Sequence, residues 1–217
     1  MKDLTGVCSM IKQVTAAAAL LLLPVTAFAQ AAPVQSHGQY RLPFADGTQV
    51  KVFDDFTTHR PRGRNDLFAV GGTPEPYRVV AAAAGRIVAI QDGWNEQQSG
   101  RAAALCHNNY VWIEHPNGEW TNYSHVAHDS VTKKAGLKVG DTVKAGQYLG
   151  DEDAIGCAML KHVHFEVALP DKANPIDSGG FLTDNENGKR ELNPRFCGVP
   201  GGTAVKGETY TAQACSQ

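Results

Sequence analysis

The chain has 217 residues, enough for one domain of ordinary size, with 20 basic and 22 acidic side chains and a formal net charge of −2. That balance excludes a nucleic-acid binder or a polybasic membrane contact built on overall charge. One short basic run, His59-Arg60-Pro61-Arg62-Gly63-Arg64, is the only candidate patch for a large anionic partner.

Residues 1–29 have the form of a secretory signal peptide. Lys2 and Lys12 precede an apolar run from Val14 to Ala27, and Ala27-Phe28-Ala29 offers a small-residue cleavage site. The run is short for a membrane span of about 20 residues, and no other stretch is long enough, so no transmembrane segment is expected after cleavage. Loss of Lys2, Lys12 and Asp3 would leave 18 basic against 21 acidic residues, a net −3. Cys8 leaves with the signal peptide. Four cysteines remain, and an even count in an exported chain points to two disulfides. Of three connectivities, Cys106–Cys157 and Cys197–Cys215 are favoured, the first inside the central region and the second stapling the tail. No Cys-x-x-Cys pair suggests a cysteine metal site.

In chain order, residues 30–39 read as a flexible start. Thr48 to Phe53 alternates as a strand, and 54–66 is a polar, turn-rich loop. Gly71 to Pro76 is a turn. Val79 to Ala83 and Ile87 to Ile90 suggest a strand pair, followed by a long polar loop over 91–108. Tyr110–His115 and Trp120–Val126 alternate around Asn117-Gly118, a strong antiparallel hairpin signal. Glycines 136, 140, 146 and 150 punctuate short strands. Residues 161–167 (Lys-His-Val-His-Phe-Glu-Val) alternate strictly, with His162, His164 and Glu166 on one face and Val163, Phe165 and Val167 on the other. The segment 171–217 looks irregular. No long helix, heptad or repeat is present. The expected class is mainly β, with antiparallel sheets, a zinc-containing groove and a disulfide-stapled, irregular C-terminal extension.

Eight histidines are scattered along the chain. His162 and His164, spaced i, i+2, can serve one metal. His125 lies on a strand face with Thr121 and Tyr123, and His59 precedes Asp66 by seven positions. Two histidines and a carboxylate form a catalytic zinc ligand set with one position left for water. By spacing alone, which of these residues bind and which catalyse stays open. His115 reads as a structural histidine. Glu166 reads equally as a partner that orients a ligand or as a solvated carboxylate.

The order of these features carries more. A loop His-x6-Asp, a Tyr-x-His strand, glycine-punctuated hairpins and His-Val-His-Phe-Glu together resemble the lysostaphin-like (LytM) zinc metallopeptidases over residues 40–170. The resemblance implies His59, Asp66 and His164 as metal ligands for one Zn2+. It implies His125 and His162 as the unliganded catalytic pair. It further implies hydrolysis, by a zinc-activated water, of peptide bonds in bacterial cell-wall peptidoglycan. An exported chain, periplasmic or secreted and monomeric, is expected. The alternative is a catalytically inactive member that binds or regulates wall hydrolases. The chain departs from the family pattern in the six-residue, arginine-rich gap between His59 and Asp66. It also carries Asp151-Glu152-Asp153-Ala154-Ile155-Gly156-Cys157-Ala158-Met159-Leu160 where a Gly- and Thr-rich run is usual.

Overall fold

Eight strands form one sheet in which every neighbouring pair is antiparallel. The computed structural model describes residues 32–98, 106–171, 173, 175–182 and 190–216. Residues 1–29, where a signal peptide is expected, and part of the 91–108 loop lie outside the described residues. Among the described residues, twelve strands run in chain order: β1 (Gln35–Tyr40), β2 (Gln49–Asp54), β3 (Asn65–Gly71), β4 (Arg78–Val80), β5 (Gly85–Gln91), β6 (Tyr110–Glu114), β7 (Trp120–Ser124), β8 (Thr142–Val143), β9 (Tyr148–Asp151), β10 (Val163–Ala168), β11 (Asn193–Phe196) and β12 (Thr209–Thr211). The large sheet has the order β12-β2-β3-β10-β7-β6-β5-β8. Among the described residues, helix is confined to single turns such as Ser130–Lys134 and Pro200–Gly202.

The alternation in 161–167 does what strand geometry requires. Val163, Phe165 and Val167 are fully buried in the main apolar core with Tyr123, Ile87, Ile113 and Leu149. The opposite face is covered too, because His164 and Glu166 are 4% and 0% exposed. Asn117-Gly118 closes β6 onto β7 as the expected antiparallel pair, with Gly118 at φ +82°. β4 and β5 are both strands, but they do not pair with each other. β4 pairs with β9, and β5 lies between β6 and β8.

Two segments are more ordered than their sequences suggest. Gln35–Tyr40, inside the stretch expected to be flexible, is strand β1 and runs parallel to β11. A buried carboxylate fixes it: Glu119, at the β6–β7 turn, accepts the His37 and Gly38 N–H groups at 2.6 and 3.0 Å, the Tyr40 hydroxyl at 2.6 Å and the Asn117 amide at 2.8 Å. The second segment is the C-terminal region, which is not a separate irregular extension. β12 adds to the edge of the large sheet beside β2, and Phe196 packs on Phe165. Neither β1 nor β12 has a strong alternating pattern, since long-range partners supply their order. Both disulfides pair as expected, Cys106–Cys157 and Cys197–Cys215, with Cα–Cα distances of 5.3 and 5.4 Å.

Burial would raise the Glu119 pKa, but the donors around it outweigh burial and hold the carboxyl below its usual range. A depressed acid pKa contributes stability that is present above about pH 4.5 and lost as pH falls through the folded value. Glu119→Gln, which replaces one acceptor oxygen with an NH2 donor facing existing donors, is therefore expected to cost ~1–3 kcal/mol at neutral pH. It should also weaken the acid-side loss of stability, as measured by urea unfolding between pH 7 and pH 3.

Candidate metal and catalytic site

β3 and β10 bring the first two site residues together by register alone, since Asp66 lies directly opposite His164. The His164 Nδ1 stands 3.1 Å from Asp66 Oδ1. On its other side, the ring donates from Nε2 to Glu166 Oε1 at 2.9 Å. Both ring nitrogens thus face a carboxylate: burial would lower the His164 pKa, but its bonds to Asp66 and Glu166 outweigh burial and raise it.

His59 arrives from the loop between β2 and β3. Asp55 organises that loop by accepting the Thr57 and Thr58 N–H groups, while the Asp55 carbonyl accepts from His59 N–H. His59 donates its Nδ1–H to the Pro61 carbonyl at 2.7 Å, which leaves Nε2 3.4 Å from Asp66 Oδ2. The arginines of the gap are used internally. Arg60 folds back onto the Thr57, Thr58 and His59 carbonyls. Arg64 turns inward, with Nε 3.1 Å from Glu166 Oε1, and its guanidinium lies 5.0 Å from the Phe181 ring. The run thus spends two of its three arginines on the loop and the site, which leaves little of a basic patch for an anionic partner.

His125 occupies its place for a reason that alternation does not supply. Cross-strand register puts Ser124 opposite His164 and Tyr123 opposite Phe165. Simple alternation would therefore send His125 into the apolar core with Tyr123. Instead, His125 adopts φ +71°, a left-handed conformation that side chains other than glycine rarely take. That turn breaks the alternation and sets its ring 4.7 Å from that of His162 and 5.9 Å from that of His164. Strain of about 1–3 kcal/mol at such a residue persists only where its surroundings over-determine it. Here the His125 N–H bonds the Asn109 carbonyl, and its carbonyl accepts from Asp153.

The unusual 152–161 loop supplies the rest. His125 donates Nδ1–H to the Ile155 carbonyl, and His162 donates Nδ1–H to the Leu160 carbonyl, both at 2.8 Å. Both rings are thereby anchored at Nδ1, and the His162 Nε2 lies 3.5 Å from Asp66 Oδ1. The loop is tied down by the Cys106–Cys157 disulfide, by Asn108 accepting from Cys157 N–H, and by Gln97 donating to the Ala158 and Met159 carbonyls. At Gly156, φ is +87° and a Cβ would meet Asn108 Oδ1 at 2.0 Å, so only glycine fits. Phe68 stacks on His162 with ring centroids 5.1 Å apart, and Phe181 packs edge-on against His164 at 5.2 Å.

Two overlapping triads can each offer three ligand atoms within 4.8 Å of one another: His59, Asp66 and His164, and His125, His162 and His164. The first contains a carboxylate: His59 Nε2 lies 3.4 Å from Asp66 Oδ2, and His164 Nδ1 lies 3.1 Å from Asp66 Oδ1. A carboxylate also offsets part of the dication's charge, and Glu166 holds the His164 ring from behind.

Burial would raise the Asp66 pKa, but hydrogen bonds and charge from His162 and His164 hold its carboxyl well below the usual range. Burial, with the neighbouring His162 and His164, pushes His125 well below the ordinary histidine value, so it is neutral. Burial and then His164 lower His59. Burial also raises Glu191, whose side chain packs under Gly63 near Glu166.

All five residues implied by the sequence, His59, Asp66, His125, His162 and His164, thus meet at one place. His115 is elsewhere, buried between the Ala84 carbonyl and Thr121. Sequence reasoning missed Arg64, Phe68, Phe181 and the Ile155 and Leu160 carbonyls. Phe68 shares the parity of Asp66 on β3 and could have been found from it. No sequence signal marks Phe181.

The profile of peptidase family M23 matches residues 64–178, more than half of the chain, and the chain belongs to that family. Asp66, His125, His162 and His164 lie inside the matched segment, and His59 lies just before it. Lysostaphin of Staphylococcus simulans is 34% identical over 101 residues, which cover 46% of this chain and 17% of that protein. The glycyl-glycine endopeptidase ALE-1 of Staphylococcus capitis is 34% identical over 101 residues, covering 46% and 23%. The chain thus spans less than a quarter of the length of either relative. Among solved structures, lysostaphin from S. simulans superposes with a TM-score of 0.40 at 25% identity, covering 57% of this chain and 44% of that one. The M23 metalloprotease pseudoalterin, of deep-sea origin, gives 0.42 at 19% identity, covering 82% and 98%. The family assignment rests on the profile match and not on these superpositions.

Arg64 and Glu166 form a buried ion pair behind His164, and removing one partner leaves the other charge uncompensated. Arg64→Met is expected to cost about 3–5 kcal/mol in chemical unfolding. The double variant Arg64→Met/Glu166→Leu should recover a large part of that loss, as read from a double-mutant cycle.

Proposed function

We propose that this chain is an exported zinc metalloendopeptidase that hydrolyses peptide bonds in bacterial cell-wall peptidoglycan. One observation carries the reading. Two histidines, His125 and His162, each anchored at Nδ1 by a backbone carbonyl, stand beside a His-Asp-His group that could hold a metal. His59 Nε2, Asp66 and His164 Nδ1 would hold the metal. Zinc bound there supplies a Lewis acid and lowers the pKa of a coordinated water toward ~7.

The chain's own residues do the remainder. An Nε2 with a free lone pair can take a proton from the attacking water, and its protonated form can give one to the leaving amine. The other Nε2, once protonated, can donate a hydrogen bond to the oxygen that becomes negative as the peptide carbonyl is attacked. His162 and His125 fill these two roles. Both are fixed by the same loop, so the pair is preorganised before substrate arrives. Arg64 and Glu166 hold His164, and Phe68 holds the plane of His162. The wall substrate is supported by the named activity of ALE-1, a glycyl-glycine endopeptidase, over the shared 101 residues. Export is supported by the signal-like residues 1–29 and by two disulfides, which persist in oxidising compartments.

Metal analysis of the purified mature protein is expected to find about one zinc per chain. His164→Ala should lose both metal and activity. His162→Ala should keep the metal and lose about 10²–10⁴-fold in the rate of new amino termini from purified peptidoglycan. Zinc at full occupancy with no new amino termini would replace the enzyme with an inactive wall-binding regulator. In the active enzyme, Cys106→Ser/Cys157→Ser is expected to lower kcat while leaving zinc content unchanged, because it frees the loop that aims both histidines and touches none of the three ligands.

A further inference from the structure

Beyond the catalytic pair, the next buried ionisable side chain along the site is Glu152, 4% exposed. Its backbone is locked in place: Glu152 N–H donates to the Tyr77 carbonyl, and the residue bridges to Val126 next to His125. The side chain reaches β3 and accepts the Ala69 N–H through Oε1 at 3.0 Å. Pairing of β10 with β3 ends at Leu67, so Glu152 caps a strand donor that β10 no longer reaches. Among the described residues, no other group hydrogen-bonds this carboxyl, and Oε2 is not sealed inside the protein. Glu152 lines a cavity of about 120 Å³ together with Ala69, Glu75, Pro76, Tyr77 and Lys161.

The charge balance of this cavity is incomplete. Its one cation, Lys161, is largely exposed and has Nζ 3.7 Å from Asp153 Oδ1. Glu75 adds a second carboxylate at the exposed rim. Burial raises the Glu152 pKa to about 7, as expected of a carboxylate lacking a close counter-ion. Capping one N–H needs only an acceptor, which a glutamine would provide equally well. The negative charge is therefore unused by the fold.

The position fits a substrate contact. Phe68, which stacks on His162, is the residue before Ala69. At about 3.4 Å per residue, Ala69 lies roughly 10 Å along β3 from Asp66. An extended peptide running through the site would place there a residue two or three positions from the cleaved bond, or the end of a long side chain nearer to it.

We propose that this cavity is a specificity subsite for a free primary ammonium group on the substrate, with Glu152 as its counter-ion. The inference rests on the wall-peptidase reading. Wall peptides carry such amines in two places: the side chain of a diamino acid and the amino terminus of an uncrosslinked bridge. An ammonium offers three donors, and Glu152 Oε2 is a free acceptor for a charge-assisted hydrogen bond.

The test compares zinc-loaded mature protein, wild type and Glu152→Gln, on purified peptidoglycan that is either untreated or acetylated at its amines. Acetylation is expected to slow the wild type about tenfold or more, the usual scale for losing a hydrogen bond to a charged group. Glu152→Gln should cut untreated wall about tenfold more slowly than wild type and should be indifferent to acetylation. The variant keeps the Ala69 cap, so a loss confined to amine-bearing wall reports the charge and not the fold. Mass analysis of the fragments then distinguishes side-chain amines from bridge termini beside the cut. Equal wild-type rates on the two walls would overturn the subsite, as would a Glu152→Gln variant that keeps the wild-type rate or the wild-type sensitivity to acetylation. Wild type inactive on both walls would instead overturn the wall-peptidase reading and this inference with it.

Discussion

The site depends on one cross-strand pair. Asp66 on β3 and His164 on β10 face each other in register, and every other functional side chain is placed relative to them. His59 reaches Asp66 from the β2–β3 loop, His162 reaches it from the start of β10, and Glu166 holds the far side of the His164 ring. A one-residue slip between these strands would move Asp66 to the opposite face and dismantle the whole arrangement. Burial of Val163, Phe165 and Val167 behind the pair opposes such a slip, because a one-residue shift would turn them out of the core.

A second constraint lies in the 152–161 loop. Two of its carbonyls, from Ile155 and Leu160, set the tautomers of His125 and His162, and a disulfide ties the loop to the 106–109 segment. Flexible backbone would serve poorly here, since proton transfer requires the acceptor nitrogen to face the reacting atoms. The same loop begins at Glu152, so the segment that anchors both histidines also holds a buried carboxylate against β3.

Much of this was legible from residues 161–167. Strict alternation in His-Val-His-Phe-Glu-Val gives a strand with two imidazoles on one face, and the Asn117-Gly118 hairpin beside it fixes a neighbour. His125 was identified by its place in Tyr-x-His, yet alternation alone would have buried it in the core; a left-handed backbone angle, invisible to pattern, turns it toward the site. Arg64 was hidden because a run of arginines reads as a solvated surface, whereas pairing with Glu166 draws one of them inside. Glu152 was hidden in the same way, within a polar Asp-Glu-Asp run. β1 and β12 escaped notice because their order comes from Glu119 and from β2, tens of residues or more away in sequence. Short-range periodicity reports local faces, and these features are set by long-range partners.

The central claim is that His59, Asp66 and His164 bind the metal while His125 and His162 stay off it. Two triads share His164, so the claim can fail in a definite way. The most direct measurement is the anomalous difference density of the zinc-loaded protein in a crystal. A single peak bounded by His59 Nε2, Asp66 and His164 Nδ1, with the Nε2 atoms of His125 and His162 outside bonding distance, is the predicted result. A peak held by His125, His162 and His164 would contradict the division of labour on which the account rests.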